Sequence, residues 1–129
     1  MKQLNPREIN TTALAFLGDA VYEIYARKYV MDSGQKNADR LHKEAIKYVC
    51  ADGQAKAVKS LLEDFLSEEE VSLVKRARNR KTASKARSAD AVTYKLATAF
   101  EALMGFLYLD GQTQRLEEVV LEALKRIEE

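Results

Sequence analysis

LATAFEALMGFLYL, residues 96–109, is apolar at every position except Thr98, Glu101 and Gly105. At about 100° per residue such a helix has no polar face, so it belongs inside a fold with neighbours on most sides. A second run, ALAFLGDAVY at residues 13–22, carries Asp19 as its only ionisable group. Both helices are expected to be buried, in a chain that reads as one helical bundle. The composition agrees, because Ala, Leu, Glu, Lys and Arg make up about half of the 129 residues. Five glycines and one proline leave too few turn-makers for a many-stranded sheet. An all-α domain spanning residues 1–129 is predicted.

Outward from these runs, five helical stretches are legible. The first runs from about Thr12 to Met31, capped by Asn10 or Thr11, with Leu14, Leu17, Val21, Ile24 and Tyr25 at helical spacing. A second follows the Asn37-Ala38-Asp39 cap signal and reaches about Phe65, with a break expected at Asp52-Gly53. The third starts at Ser67, where Ser67 and Glu70 have the spacing of a capping box. Residues 82–88 lack an apolar period and read as a mobile loop. A long helix follows from about Asp90 to Leu109, ended by Asp110-Gly111. The last, near Gln114 to Ile127, buries Leu116, Val119, Val120, Ala123, Leu124 and Ile127.

A single cysteine, Cys50, cannot form an intrachain disulfide, and an inert buried thiol is its default reading. No apolar stretch reaches the roughly 18 residues needed to span a bilayer. The polar segment Met1 to Asn10 is not a secretory signal. A soluble, cytoplasmic protein without a membrane role is expected. One cysteine and one histidine, His42, exclude a zinc site, and no Glu-x-x-His pair supports a di-iron bundle.

The net charge of +1 hides a strong asymmetry. KRARNRKTASKAR, residues 75–87, carries seven positive charges and no acid, whereas acids outnumber bases in the rest of the chain. Such a segment suits contact with phosphates, and equally a solvated helix end. Its candidate phosphate ligands are Arg76, Arg78, Arg80, Lys81, Lys85 and Arg87.

Asp19 and Glu101 are acids in apolar surroundings, where an unpaired carboxylate costs several kcal/mol. Each is expected to be neutralised, paired with a base such as Arg27 or Lys95, or bound to a cation. On the helical wheel Asp19 sits with Glu23, and Glu101 sits with Tyr94, Thr98 and Gly105, away from the apolar stripes. If these two faces meet, two hard oxygen ligands converge, a set that suits Mg²⁺. A metal beside phosphate-binding arginines is a phosphodiester-cleaving arrangement.

LAFLGDAVYE, residues 14–23, resembles the signature motif of ribonuclease III catalytic domains, and AFEALMGFLYLD, residues 99–110, resembles that family's second acidic motif. The order and separation of the two are those of the family. The resemblance covers about Asn5 to Ile127 and is closest to the Mini-ribonuclease III subfamily, to which RARNRK at 76–81 is also similar. It implies a ribonuclease III-like helical homodimer without a double-stranded-RNA-binding domain. It further implies Mg²⁺-dependent cleavage of double-stranded RNA and maturation of large-subunit (23S) ribosomal RNA precursors. Carried over by residue, Asp19 and Glu101 are the catalytic and metal-ligating acids. Ala15 and Thr98 stand where full-length family members carry a further Glu and Asp. That halved acidic set fits the subfamily, with Thr98 able only to bond a water and Glu23 or His42 as possible helpers.

Two rivals to a nuclease are compatible with the residues. One is a non-catalytic double-stranded-RNA-binding module on the same fold, and the other is a helical protein-interaction domain.

Overall fold

A computed structural model describes residues 1–80 and 89–129. The chain opens with a 3-10 turn at Pro6–Glu8. Six helices follow: α1 (Thr11–Met31), α2 (Ala38–Val49), α3 (Ala51–Asp64), α4 (Glu68–Arg78), α5 (Ala89–Leu109) and α6 (Thr113–Glu128). Among the described residues there is no strand. The loop expected at residues 82–88 lies outside the described residues.

α5 forms the axis of the bundle, and the burial expected of its apolar sequence is observed. Leu96, Phe100, Leu103, Met104 and Leu107 are buried, and α1, α3, α4 and α6 pack around them. Tyr22 of α1 stands edge-on to Phe100, ring centres 4.8 Å apart, and its hydroxyl donates to the Tyr48 carbonyl at 2.8 Å. Burial drives the pKa of that phenol upward, so it stays a neutral donor at the α1–α2 contact.

The caps explain where the helices begin. Asn10 Oδ1 accepts the Ala13 amide at the head of α1, and Asn37 Oδ1 accepts that of Arg40 at the head of α2. The capping box at α4 forms in both directions between Ser67 and Glu70. Gly111 closes α5 with φ of +72°, a conformation that favours glycine.

Two local expectations are corrected. The break between α2 and α3 falls at Cys50, not at Asp52-Gly53. Cys50 takes an extended backbone conformation, and its Sγ accepts the Gly53 amide as the cap of α3. Gly53 serves close packing, since a Cβ there would meet the Lys47 carbonyl oxygen at 2.2 Å. Cys50 is therefore a half-buried cap and not a sequestered thiol.

The second correction concerns α1. Its run is apolar nearly all round, yet in the single chain only one side is buried, through Leu14, Ala15, Val21, Tyr22 and Ala26. Phe16 is 84% exposed and Ile24 69%, and Ala20 between them is open to solvent. Asp19 is exposed as well, so the desolvation cost expected of it does not arise.

Candidate active site

α1 and α5 cross at two glycines, Gly18 and Gly105, with backbone so close that neither position has room for a Cβ. Gly18 rests on the carbonyl of Glu101, and the next residue in the chain is Asp19. The crossing therefore brings the two acids together, although 82 positions separate them in sequence. They lie in an open cleft of about 740 Å³ whose walls include Phe16, Glu23, Tyr94 and Thr98.

The pair is electrostatically frustrated. The Glu101 pKa is pushed up to about 8, first by partial burial, then by the hydrogen bond to Asp19 and its charge. Gln54 opposes the rise by hydrogen bonding to the carboxyl, and the more distant charge of Glu23 adds to it. The paired-base alternative is not what the fold provides. Among the described residues neither Asp19 nor Glu101 makes a salt bridge, and Arg27 is held by Glu23 at 2.9 Å.

Two facing carboxylates that have no basic partner among the described residues coexist by holding a proton or by sharing a cation. The donor set is hard oxygen, which fits Mg²⁺. No group of three or more Asp, Glu, His or Cys side chains that could hold a metal ion occurs among the described residues. The protein thus offers the one or two carboxylates that Mg²⁺ requires, with water and phosphate oxygens left to complete the shell.

The possible helpers separate. Thr98 lines the cleft; its hydroxyl donates to the Tyr94 carbonyl at 2.9 Å, which leaves the oxygen able to accept from a water. His42 lies outside this cleft, beside Arg27, Val30 and Met31. Glu23 lies within reach of the pair's field, with Arg27 as its partner.

Of the basic candidates, Arg76, Arg78 and Arg80 are described, at the end of α4 and just beyond it. None pairs with a carboxylate among the described residues. Arg80 Nη1 reaches Asn10 Oδ1 at 3.4 Å, and Arg76 and Arg80 border a second cleft beside the head of α1. Lys81, Lys85 and Arg87 lie outside the described residues.

One residue escaped the sequence reading. Gln54 of α3 is only 3% exposed, and it shares a helix face with Val58 and Leu61. An uncharged polar residue in register with core positions was the available signal.

A helical bundle whose axis presents one of two facing acids defines a class, and comparison with known proteins identifies it. The family model for the Ribonuclease III domain matches residues 12–112. Mini-ribonuclease 3 of Enterococcus faecalis is 44% identical over 124 residues, covering 95% of this chain and 94% of the relative. Mini-ribonuclease 3 of Streptococcus pneumoniae is 43% identical over 121 residues, covering 93% and 94%. The crystal structure of protein FN1578 from Fusobacterium nucleatum superposes with a TM-score of 0.78 at 36% identity, covering 92% of this chain and 94% of that one. This chain belongs to the ribonuclease III family, alongside its Mini-ribonuclease 3 members, and is an endoribonuclease of that type.

Proposed function

We propose that this endoribonuclease hydrolyses double-stranded RNA with Mg²⁺ bound between Asp19 and Glu101. The observation that carries the reading is the convergence of two unpaired carboxylates in an open cleft at the Gly18–Gly105 crossing. When bound, the cation lowers the barrier by activating the water nucleophile and neutralising charge on the phosphoryl group. Asp19, exposed at the mouth of the cleft, receives the cation. Glu101, carried on the axial helix α5, would be its second ligand. Both acids must shed any shared proton for this, so loading competes with protonation.

Arg76, Arg78 and Arg80, continued by Lys81, Lys85 and Arg87, grip the phosphate backbone of the duplex. A-form RNA is recognised by shape through phosphates and 2′-hydroxyls, so a strip of cations suffices and little sequence information is read. The working unit is a homodimer, each protomer cutting one strand. The exposed Phe16, Ala20 and Ile24 stripe of α1 is the face that a second copy would cover. The proposed natural substrate is a stem of the 23S ribosomal RNA precursor in the cytoplasm, a reading that rests on family resemblance. No helix among the described residues is long and apolar enough to cross a membrane.

The test is incubation of a long perfect RNA duplex with the protein and Mg²⁺, then with Asp19→Asn. Cleavage that needs Mg²⁺ and vanishes in the variant is expected. Duplex retention without cleavage by the parent would favour a binding module instead.

A further inference from the structure

Among the described residues that line the Asp19–Glu101 cleft, Arg27 is the only base, set against the three acids Asp19, Glu23 and Glu101. Asp19, Glu23 and Arg27 follow one another four residues apart on α1 and so share a face of that helix. Asp19 and Arg27 stand about 12 Å apart along its axis. Arg27 Nε donates to Glu23 Oε1 at 2.9 Å. That single bond leaves Nη1 and Nη2 without a hydrogen-bond partner among the described residues, on a side chain that is 58% exposed. The guanidinium is thus tethered at one nitrogen and open at the other two.

We propose that Arg27 binds a backbone phosphate of the RNA strand in this cleft, one that flanks the phosphate cut at the Asp19–Glu101 pair, with Glu23 orienting the guanidinium; this rests on the double-stranded-RNA reading above. Guanidinium and phosphate match in charge and in the geometry of a donor fork. A cleft lined by carboxylates otherwise repels a phosphodiester. A cation at the pair offsets two of the acids, and Arg27 offsets the third while keeping donors free. The other cations lie in the opposite direction along α1, since Arg80 reaches Asn10, nine residues before Asp19. A strand gripped on both sides of Asp19 holds its scissile phosphate in register with the acids.

The experiment measures binding of a perfect RNA duplex to the full chain in Ca²⁺ buffer over a salt series, for Arg27→Gln in the parent and in a Glu23→Gln background. In both backgrounds the substitution is expected to lower affinity on the order of 10-fold and to reduce the slope of log affinity against log salt by about 1. With Mg²⁺, Arg27→Gln should raise KM for the duplex and leave the metal concentration for half-maximal cleavage unchanged. Its melting temperature should stay close to the parent's, since an exposed ion pair contributes little. A loss confined to the chain that retains Glu23 would make Arg27 a shield for that acid and overturn the inference, as would parental affinity and slope in Arg27→Gln. A folded parent that binds no duplex overturns the double-stranded-RNA reading and this inference with it. Should Arg27→Gln not fold, Arg27→Met takes its place with the same expected losses, and parental binding there is equally fatal.

Discussion

Gly18 and Gly105 meet backbone to backbone where α1 crosses α5. A Cβ built on Gly18 would stand 1.7 Å from the Glu101 carbonyl oxygen, and one on Gly105 2.0 Å from that of Leu14. Those atoms belong to helix backbone and cannot rotate aside. The helices must separate to admit a methyl group at either position, and the Asp19–Glu101 spacing opens with them.

Gly105→Ala is accordingly expected to cost about 3 kcal/mol, lowering the melting temperature by roughly 10 °C. Cleavage should fall further than stability explains, because the acids no longer converge. Thermal unfolding and single-turnover cleavage at a temperature where the variant is folded provide the check. A variant with parental melting and parental rate would show that the close approach is unimportant.

The Glu101 carboxyl titrates near 8 in the folded chain against 4.5 for an unperturbed glutamate. Between these values the folded state holds a proton that the unfolded state has released, so metal-free stability declines as pH rises across that window. The full contribution is present below about 4.5 and is lost by about 8. The loss should amount to a few kcal/mol, and saturating Mg²⁺ should reduce it. Denaturant melts from pH 5 to 8 are expected to show this slope in the parent and not in Glu101→Gln; identical slopes in the two would refute the assignment.

Glu70 behaves in the opposite sense. Burial acts to raise its pKa, but hydrogen bonds from Arg115 and from the Ser67 amide outweigh it, and the net shift is downward. Arg115 Nη2 lies 2.8 Å from Glu70 Oε1 and also donates to the Phe65 carbonyl. The stabilisation is therefore complete above the unfolded value of 4.5 and is lost as pH falls through the lower folded value. Glu70→Ala breaks the pair and the cap together and should cost about 3 kcal/mol at neutral pH. Its acid limb of stability should be flatter than the parent's, and an unchanged limb would locate acid sensitivity elsewhere.

Arg76 and Arg80 are exposed and, among the described residues, pair with no carboxylate, so Arg76→Ala and Arg80→Ala are expected to leave the fold unchanged. Each is expected to weaken duplex binding and to reduce the slope of log affinity against log salt by about 1. Parental slopes in both variants, measured by filter binding over a salt series in Ca²⁺ buffer, would make the strip solvent decoration.

Phe16, 84% exposed, contributes little to the core of its own chain. Phe16→Glu should preserve helicity and melting of the protomer while shifting sedimentation from dimer to monomer. A parent already monomeric at micromolar concentration would remove the two-strand cutting model.

Helix order, most of the caps and the burial of α5 were legible in the chain. Periodicity, the Ser67/Glu70 box and the Asp110-Gly111 stop are local signals, and the helices form where they point. The α2–α3 break was misplaced because Gly53 reads as a turn residue, whereas its missing side chain serves a contact with the Lys47 carbonyl. That contact exists only after the two helices pack.

The sequence by itself determined the helical class, the family motifs and the identity of both acids, since these depend on residue type and spacing along one helix. Tertiary structure alone decided that Asp19 and Glu101 line one cleft and that, among the described residues, neither is paired with a base. Each of those facts depends on how separate helices cross, and crossing is set by the packing of whole faces, with two glycines permitting the closest approach.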